Sequence, residues 1–194
     1  TYTPNANVFG TDAFTFRVSD GSLNSNIATV SIVIESVNDL PVAVDDAATT
    51  AEDNPVTFSL TGNDTDIDGT VDAATVDLDP STTAEDKTFT VTGKGTFTVD
   101  AAGSVTFTPV LNFNGSVDVI SYTVKDNDGG LSNAGKIAVT VTPVNDIPVI
   151  NPLTVTTNED QSVTVCFTVS DVENDPVTFT GGSSAAGNGT ITAD

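Results

Sequence analysis

The sequence predicts an all-β chain of tandem seven-stranded antiparallel β-sandwiches joined by short acidic linkers. Three observations carry that expectation. Apolar residues alternate with polar ones in short runs rich in Val, Thr, Ile and Phe, and clusters of Gly, Asn and Asp separate the runs. The third is self-similarity at a fixed period. VNDLP at 37–41 returns as VNDIP at 144–148, an offset of 107 residues, and the same offset carries AED at 51–53 onto NED at 158–160 and NDTDIDG at 63–69 onto SDVENDP at 170–176. Three motifs with one spacing mark a tandem array of supersecondary units. The repeat divides the chain into 1–41, 42–148 and 149–194.

Residues 1–41 read as the closing half of a repeat. Phe14, Phe16 and Val18 alternate with Thr15 and Arg17, Val30, Ile32 and Ile34 alternate likewise, and the turn cluster SDGSLNSN lies between them. A two-stranded hairpin with one apolar face is expected. Residues 42–148 hold a complete repeat, with strands expected near 42–51, 56–60, 75–78, 95–99, 104–109, 116–125 and 134–142. A further run at 88–91 extends the third or fourth of these, and 84–87 is the one stretch that could turn as a helix. About seven short strands in roughly a hundred residues describe a sandwich. Residues 149–194 open a third repeat: GNGTITAD at 187–194 matches GKGTFTVD at 93–100, while TYTP at 1–4 matches TFTP at 106–109. Set end to start, the outer pieces compose one repeat. Half a sandwich leaves an apolar face and sheet edges unpaired, so each piece is expected to be completed by a neighbouring chain or by the continuation of a longer fibre.

Charge narrows the function. The chain carries 27 acidic and 5 basic residues, a net charge of −22, and no histidine. Nucleic acid is excluded as a partner, since phosphate binding needs clustered Lys and Arg. Catalysis has little to work with: no imidazole base, and one cysteine without a partner. That cysteine, Cys166, forms no intrachain disulfide and lies out of phase with Val163, Val165 and Phe167, which places it on the outer face of a strand. No apolar run approaches the roughly 20 residues of a membrane span. Membrane insertion is not expected of this segment, and targeting and anchoring sequences are expected outside it. Tyr122 shares the inward register of Ile120 and Val124 and is a core residue rather than a platform for sugars.

The carboxylates are clustered. Strands that alternate in direction bring the loops at 61–74 and 126–133 to the end where the repeat begins, and the turn at 52–55 to the end where it finishes. Asp64, Asp66, Asp68, Asp126 and Asp128 therefore face the first linker, Asn38 and Asp39. Glu52 and Asp53 face the second linker, Asn145 and Asp146, which also meets Asp171, Glu173 and Asp175 of the next repeat. Two like charges about 4 Å apart cost on the order of 1 kcal/mol even in water. A hard cation removes that cost, and Ca2+ takes about 6–8 carboxylate, amide and backbone oxygens, the inventory on offer here. Without histidine and with one outward cysteine, zinc is poorly served. Several calcium ions at the inter-repeat linkers are expected. Asp20 and Glu159 bear the same marks at junctions beyond 1–194.

A Glu turn (AED, NED), a DxD-type loop (DTDID, DVEND) and an NDxP linker together resemble the cadherin pattern of calcium ligands. The wording YTPNANVFGTDAFTFRVSDG at 2–21 resembles the cadherin-like, immunoglobulin-type tandem repeats of large bacterial surface adhesins. Departures are the missing leading Asp of the linker, Glu173 in place of an Asp, and a short SDG where the complete repeat has KDNDGG. The resemblance implies an exported array at a cell surface, stiffened by calcium and partnered by neighbouring repeats of the same or an adjacent chain. A spacer that projects a distal binding domain is the leading expectation. A module that binds surface polysaccharide or a like repeat on another cell is the alternative.

Overall fold

The computed structural model describes residues 1–178, which fall into two compact units, Thr1–Thr142 and a second that begins at Pro143. In the first unit β1 (Gly10–Phe16) and β2 (Ala28–Ile34) pair antiparallel, with Phe14 opposite Val30 and Phe16 opposite Ala28. The complete repeat follows as nine strands: β3 (Asp46–Ala51), β4 (Val56–Ser59), β5 (Val71–Asp77), β6 (Thr88–Val91), β7 (Gly95–Val99), β8 (Ser104–Pro109), β9 (Gly115–Ser116), β10 (Ile120–Asp126) and β11 (Gly135–Thr142). One sheet runs β3-β11-β10-β5 with β9 also on β11, and the other runs β4-β8-β7-β6. Side chains of period two feed both inner faces, so Ile137, Val139 and Val141 of β11 meet Phe97 of β7, Val105 and Phe107 of β8 and Tyr122 and Val124 of β10 in one core. The Phe97 and Phe107 rings pack at 4.6 Å between centroids, tilted by 46°, a favoured aromatic arrangement.

The pairing of β3 with β11 is parallel, Ala47 beside Ala138 through Ala51 beside Thr142. Both strands therefore point away from the first linker, and the loops sort to the two ends as the alternation requires. The β10–β11 hairpin also repeats the register of β1–β2: Ile120 lies opposite Ile137 and Tyr122 opposite Gly135. The covering differs. Tyr122 is wholly buried, while Phe14 and Phe16, at the matching places of DAFTFRVSD and DVISYTVKD, are 49% and 47% exposed.

Four sequence expectations need correction. The first strand of the repeat begins at Asp46 rather than 42, because residues 42–44 spend their backbone groups on other partners, described below. The run at 88–91 is a separate edge strand on β7, not an extension of another, and 84–87 makes no helix. The expected strand near 116–125 divides into β9, which pairs Thr140 and Val141, and β10. In the second unit β12 (Val149–Ile150) pairs β13 (Val169–Ser170), and residues 151–168 join no ladder. Cys166 is exposed as expected but lies on no strand, since alternation becomes a strand only where a neighbour takes the backbone hydrogen bonds. The GNGTITAD stretch lies outside the described residues. Among the described residues no helix is long and apolar enough to cross a membrane.

Candidate metal centre

The first linker docks on two acidic loops. Asn38 donates its Nδ2 to Asp126 Oδ2 at 2.8 Å, and the Asp39 N–H donates to both oxygens of Asp68, at 3.2 and 3.3 Å. Asp126 ends β10 and is buried. The chain turns over it, with Oδ1 accepting the N–H of Asp128 at 2.9 Å and of Gly130 at 2.8 Å. The Asn38 amide foremost, with these backbone donors, holds the Asp126 carboxyl below the usual carboxylate range against the opposing effect of burial. Across from it, Asp66 Oδ1 accepts the Asp68 N–H at 3.4 Å. Asn127 ties the loops together, its Oδ1 accepting the N–H of Thr70 at 2.7 Å and the Thr70 hydroxyl at 3.2 Å.

Two glycines make this convergence possible. A Cβ on Gly69 would run into Asn127 Oδ1 and stand 2.7 Å from Asp66 Oδ2. A Cβ on Gly130 would stand 2.5 Å from Asp126 Oδ2 and 2.7 Å from Asn38 Nδ2. The oxygens thus point into spaces that any other residue would fill.

Other predicted residues serve elsewhere. Asp128 accepts the Asn127 amide through Oδ2 at 2.9 Å. Asp64 turns to the start of the repeat, where Oδ1 accepts the Val44 N–H at 2.8 Å and lies 2.9 Å from the Tyr122 hydroxyl. Burial pushes the Asp64 carboxyl up, and burial together with the Asp64 charge pushes its neighbour Asp46 up to about 6. At the opposite end Glu52 is 2% exposed and its Oε2 accepts the Asn114 amide at 3.3 Å. Asp53, with a left-handed φ of 61°, accepts the Asn112 N–H at 2.8 Å. In the second unit the Asp146 N–H donates to Glu173 Oε2 at 3.1 Å, Asp171 Oδ1 accepts the Asp175 N–H at 2.9 Å, and Asn145 donates to the Asp146 carbonyl at 3.0 Å. Asn114 and Asn127 escape the sequence reasoning, which takes amides only from the linkers, although an amide oxygen in a loop is also a calcium ligand. Asn127 sits inside the KDNDGG motif, which is the signal that could have found it.

Among the described residues no three acidic side chains stand close enough together to hold an ion as they are. What the structure gathers is pairs of linker and loop groups beside underused oxygens. Asp64 Oδ2, Asp66 Oδ2 and Glu173 Oε1 are buried and accept no hydrogen bond. Such oxygens cost about 1–3 kcal/mol each, and more when charged. The described ion pairs are Lys87–Glu85, Lys94–Asp118 and Lys125–Glu85, so no lysine answers them. The donor set is all oxygen: carboxylate, amide and backbone carbonyl. That chemistry fits a hard divalent cation and suits Ca2+ better than Mg2+, which keeps more of its water.

Comparison with known proteins agrees with this architecture. A model of the bacterial cadherin-like domain matches residues 38–143, and a model of the bacterial Ig domain matches residues 1–33. Integrin beta-like protein A of Dictyostelium discoideum is 30% identical over 182 residues, covering 87% of this chain, which spans only 9% of that relative. Among solved structures, extracellular cadherin domains 1–4 of protocadherin gamma B7 align over 87% of this chain and 42% of theirs, with a TM-score of 0.50 and 17% identity. An endo-fucoidan hydrolase of glycoside hydrolase family 107 aligns over 73% of this chain and 20% of its own, at 21% identity, but its TM-score of 0.36 is too low to carry weight. With a sandwich of this topology, and with more than half of the sequence matched, the chain belongs to the family of bacterial cadherin-like domains.

Proposed function

We propose that this chain is a calcium-rigidified spacer segment of an extracellular surface adhesin or surface filament, built from a closing half-repeat (1–41), a complete repeat (42–148) and an opening half-repeat (149–194). The observation that carries the proposal is the docking of Asn38 and Asp39 on Asp126 and Asp68, beside the buried, unpartnered Asp66 Oδ2, in a cradle kept open by Gly69 and Gly130. Asn38, Asp39, Asp66, Asp68 and Asp126 would hold the ion, with Asn127 and Asp128 at its edge. A divalent ion there neutralises carboxylates on both sides of a linker and so ties one repeat to the next. Glu52 with Asn114, and separately the Asp146–Glu173 pair, offer the same donor chemistry for further ions.

The matched families, bacterial cadherin-like and bacterial Ig domains, and the name of the integrin-like relative fit a role in adhesion. A polysaccharide-binding role has less support. Tyr122 is buried, which leaves of the two tyrosines only Tyr2, 40% exposed and with its hydroxyl donated to Asp12 at 2.7 Å, as an open ring.

Extracellular modules bind calcium with dissociation constants of roughly 10⁻⁴–10⁻³ M. Small-angle scattering of the chain in millimolar calcium and in chelator should show a longer maximum dimension with the ion, and calorimetry should show binding that Gly69→Ala weakens. A maximum dimension indifferent to calcium removes the proposal.

A further inference from the structure

We infer that bending at the first linker is confined to residues 35–40, and that Asn133 is a positioning residue that fixes the point where the bend must stop. The three residues after Pro41 have every backbone polar group engaged. The Val42 N–H donates to the Thr65 carbonyl at 2.7 Å, and the Thr65 N–H returns to the Val42 carbonyl at 3.1 Å. Asn133 treats Ala43 as a strand would: Oδ1 accepts the Ala43 N–H at 3.0 Å and Nδ2 donates to the Ala43 carbonyl at 2.8 Å, across 90 positions of sequence. The Val44 N–H goes to Asp64 Oδ1 at 2.8 Å, and the Val44 carbonyl lies 3.0 Å from the Tyr122 hydroxyl.

These partners come from the loop after β4, from β10 and from the loop before β11, so the staple joins residues 42–44 to both sheets. Pro41 and Ala43 are buried, and proline adds a fixed φ. A segment with its donors and acceptors satisfied in this way cannot swing without exposing them. On the other side of Pro41 the polar ties are of another kind. Asn38 and the Asp39 N–H hold on to Asp126 and Asp68, and these are carboxylates that the calcium proposal assigns to the ion. An ion there acts on the groups that make those ties, whereas the staple uses none of them.

What the ion does to residues 35–40 rests on the calcium proposal. Where the chain can bend does not. The test is amide exchange, followed by NMR on the labelled 194-residue chain, in calcium and in calcium-depleted buffer. The amides of Val42, Ala43 and Val44 should stay protected in both, while those of Asn38, Asp39 and Leu40 exchange freely without calcium and gain protection with it. In Asn133→Ala the Ala43 amide should exchange at least tenfold faster, while Phe97 and Phe107 keep their protection and so report an intact core. Asn133→Asp, which retains the acceptor, should restore part of the Ala43 protection. Residues 42–44 exchanging together with 38–40 in the depleted buffer overturn the inference, as does an Asn133→Asp that behaves like Asn133→Ala. Protected 42–44 with a linker indifferent to calcium sustains the staple and removes the calcium proposal instead.

Discussion

Asp46→Asn should flatten the pH dependence of stability and make the protein more stable at neutral pH. Asp46 Oδ2 lies 3.4 Å from the Tyr122 hydroxyl and Oδ1 accepts the Asn63 amide at 3.2 Å. Partial burial and the nearby Asp64 charge outweigh both bonds and push the Asp46 carboxyl from 3.8 to about 6. A folded pKa above the unfolded one means that the native state binds the proton more tightly. The resulting stability is fully present below 3.8 and is lost as pH rises through 6. At about 1.4 kcal/mol per pKa unit the undiscounted effect is roughly 3 kcal/mol. Asp46 is only partly buried, so solvent still screens it, and about 1 kcal/mol is the realistic size. Asparagine keeps an acceptor for Tyr122 and removes the charge at every pH. Urea unfolding of parent and variant between pH 4.5 and 8, in calcium-depleted buffer, isolates the difference. General repulsion among the other carboxylates, and Asp64, whose carboxyl shifts the same way, contribute to both proteins, so the comparison rests on the two slopes. A variant whose stability changes with pH as steeply as the parent's, or one less stable than the parent at pH 7, refutes the reasoning.

Two further substitutions probe the sandwich itself. Gly135→Ala places a Cβ 2.5 Å from Tyr122 Cε1 and 2.8 Å from Cζ, against a ring with no room to retreat, and should cost about 1–3 kcal/mol in a urea melt. Lys87 donates its Nζ to the carbonyls of Ala74 and Val76, both at 2.6 Å, and so closes the outer edge of β5. Lys87→Ala should lower stability by about 1 kcal/mol and, by uncovering a strand edge, raise light scattering at high protein concentration.

Periodicity locates β7 and β8 to the residue, because both lie inside a sheet with strict alternation and tight turns at each end. It misplaces the start of β3, where Val42, Ala43 and Val44 give their backbone groups to Thr65, to Asn133, and to Asp64 and Tyr122 respectively, rather than to a neighbouring strand. Nothing in a local pattern reveals a partner 90 residues away. It also fails at 163–167, where alternation is clear but no ladder forms. The candidate centre is legible to the extent that it depends on the repeat. Asn38 pairs with Asp126 and the Asp39 N–H with Asp68, because strand direction decides which loops share an end with the linker. Whether a given oxygen faces the linker or the core is a matter of side-chain rotation, and so Asp64 among the expected ligands is found serving Val44 and Tyr122.

The two linkers share a sequence but not a wiring. In the first, the amide of the aspartate is met by the third acid of the loop, Asp68; in the second, the amide of Asp146 is met by the second acid, Glu173. Glutamate has one more methylene than the aspartate at the matching place, Asp66, and that reach lets a side chain set two residues earlier arrive at the linker. Its other oxygen is left buried without a hydrogen-bond partner, as Asp66 Oδ2 is. A substitution that looks conservative thus moves the contact by two residues in the loop while preserving an unused oxygen in both. It follows that repeats in one array need not carry identical ligand sets to serve identical purposes. On the calcium proposal, what must persist from repeat to repeat is an acidic loop that presents one oxygen to the linker amide and keeps another for a cation.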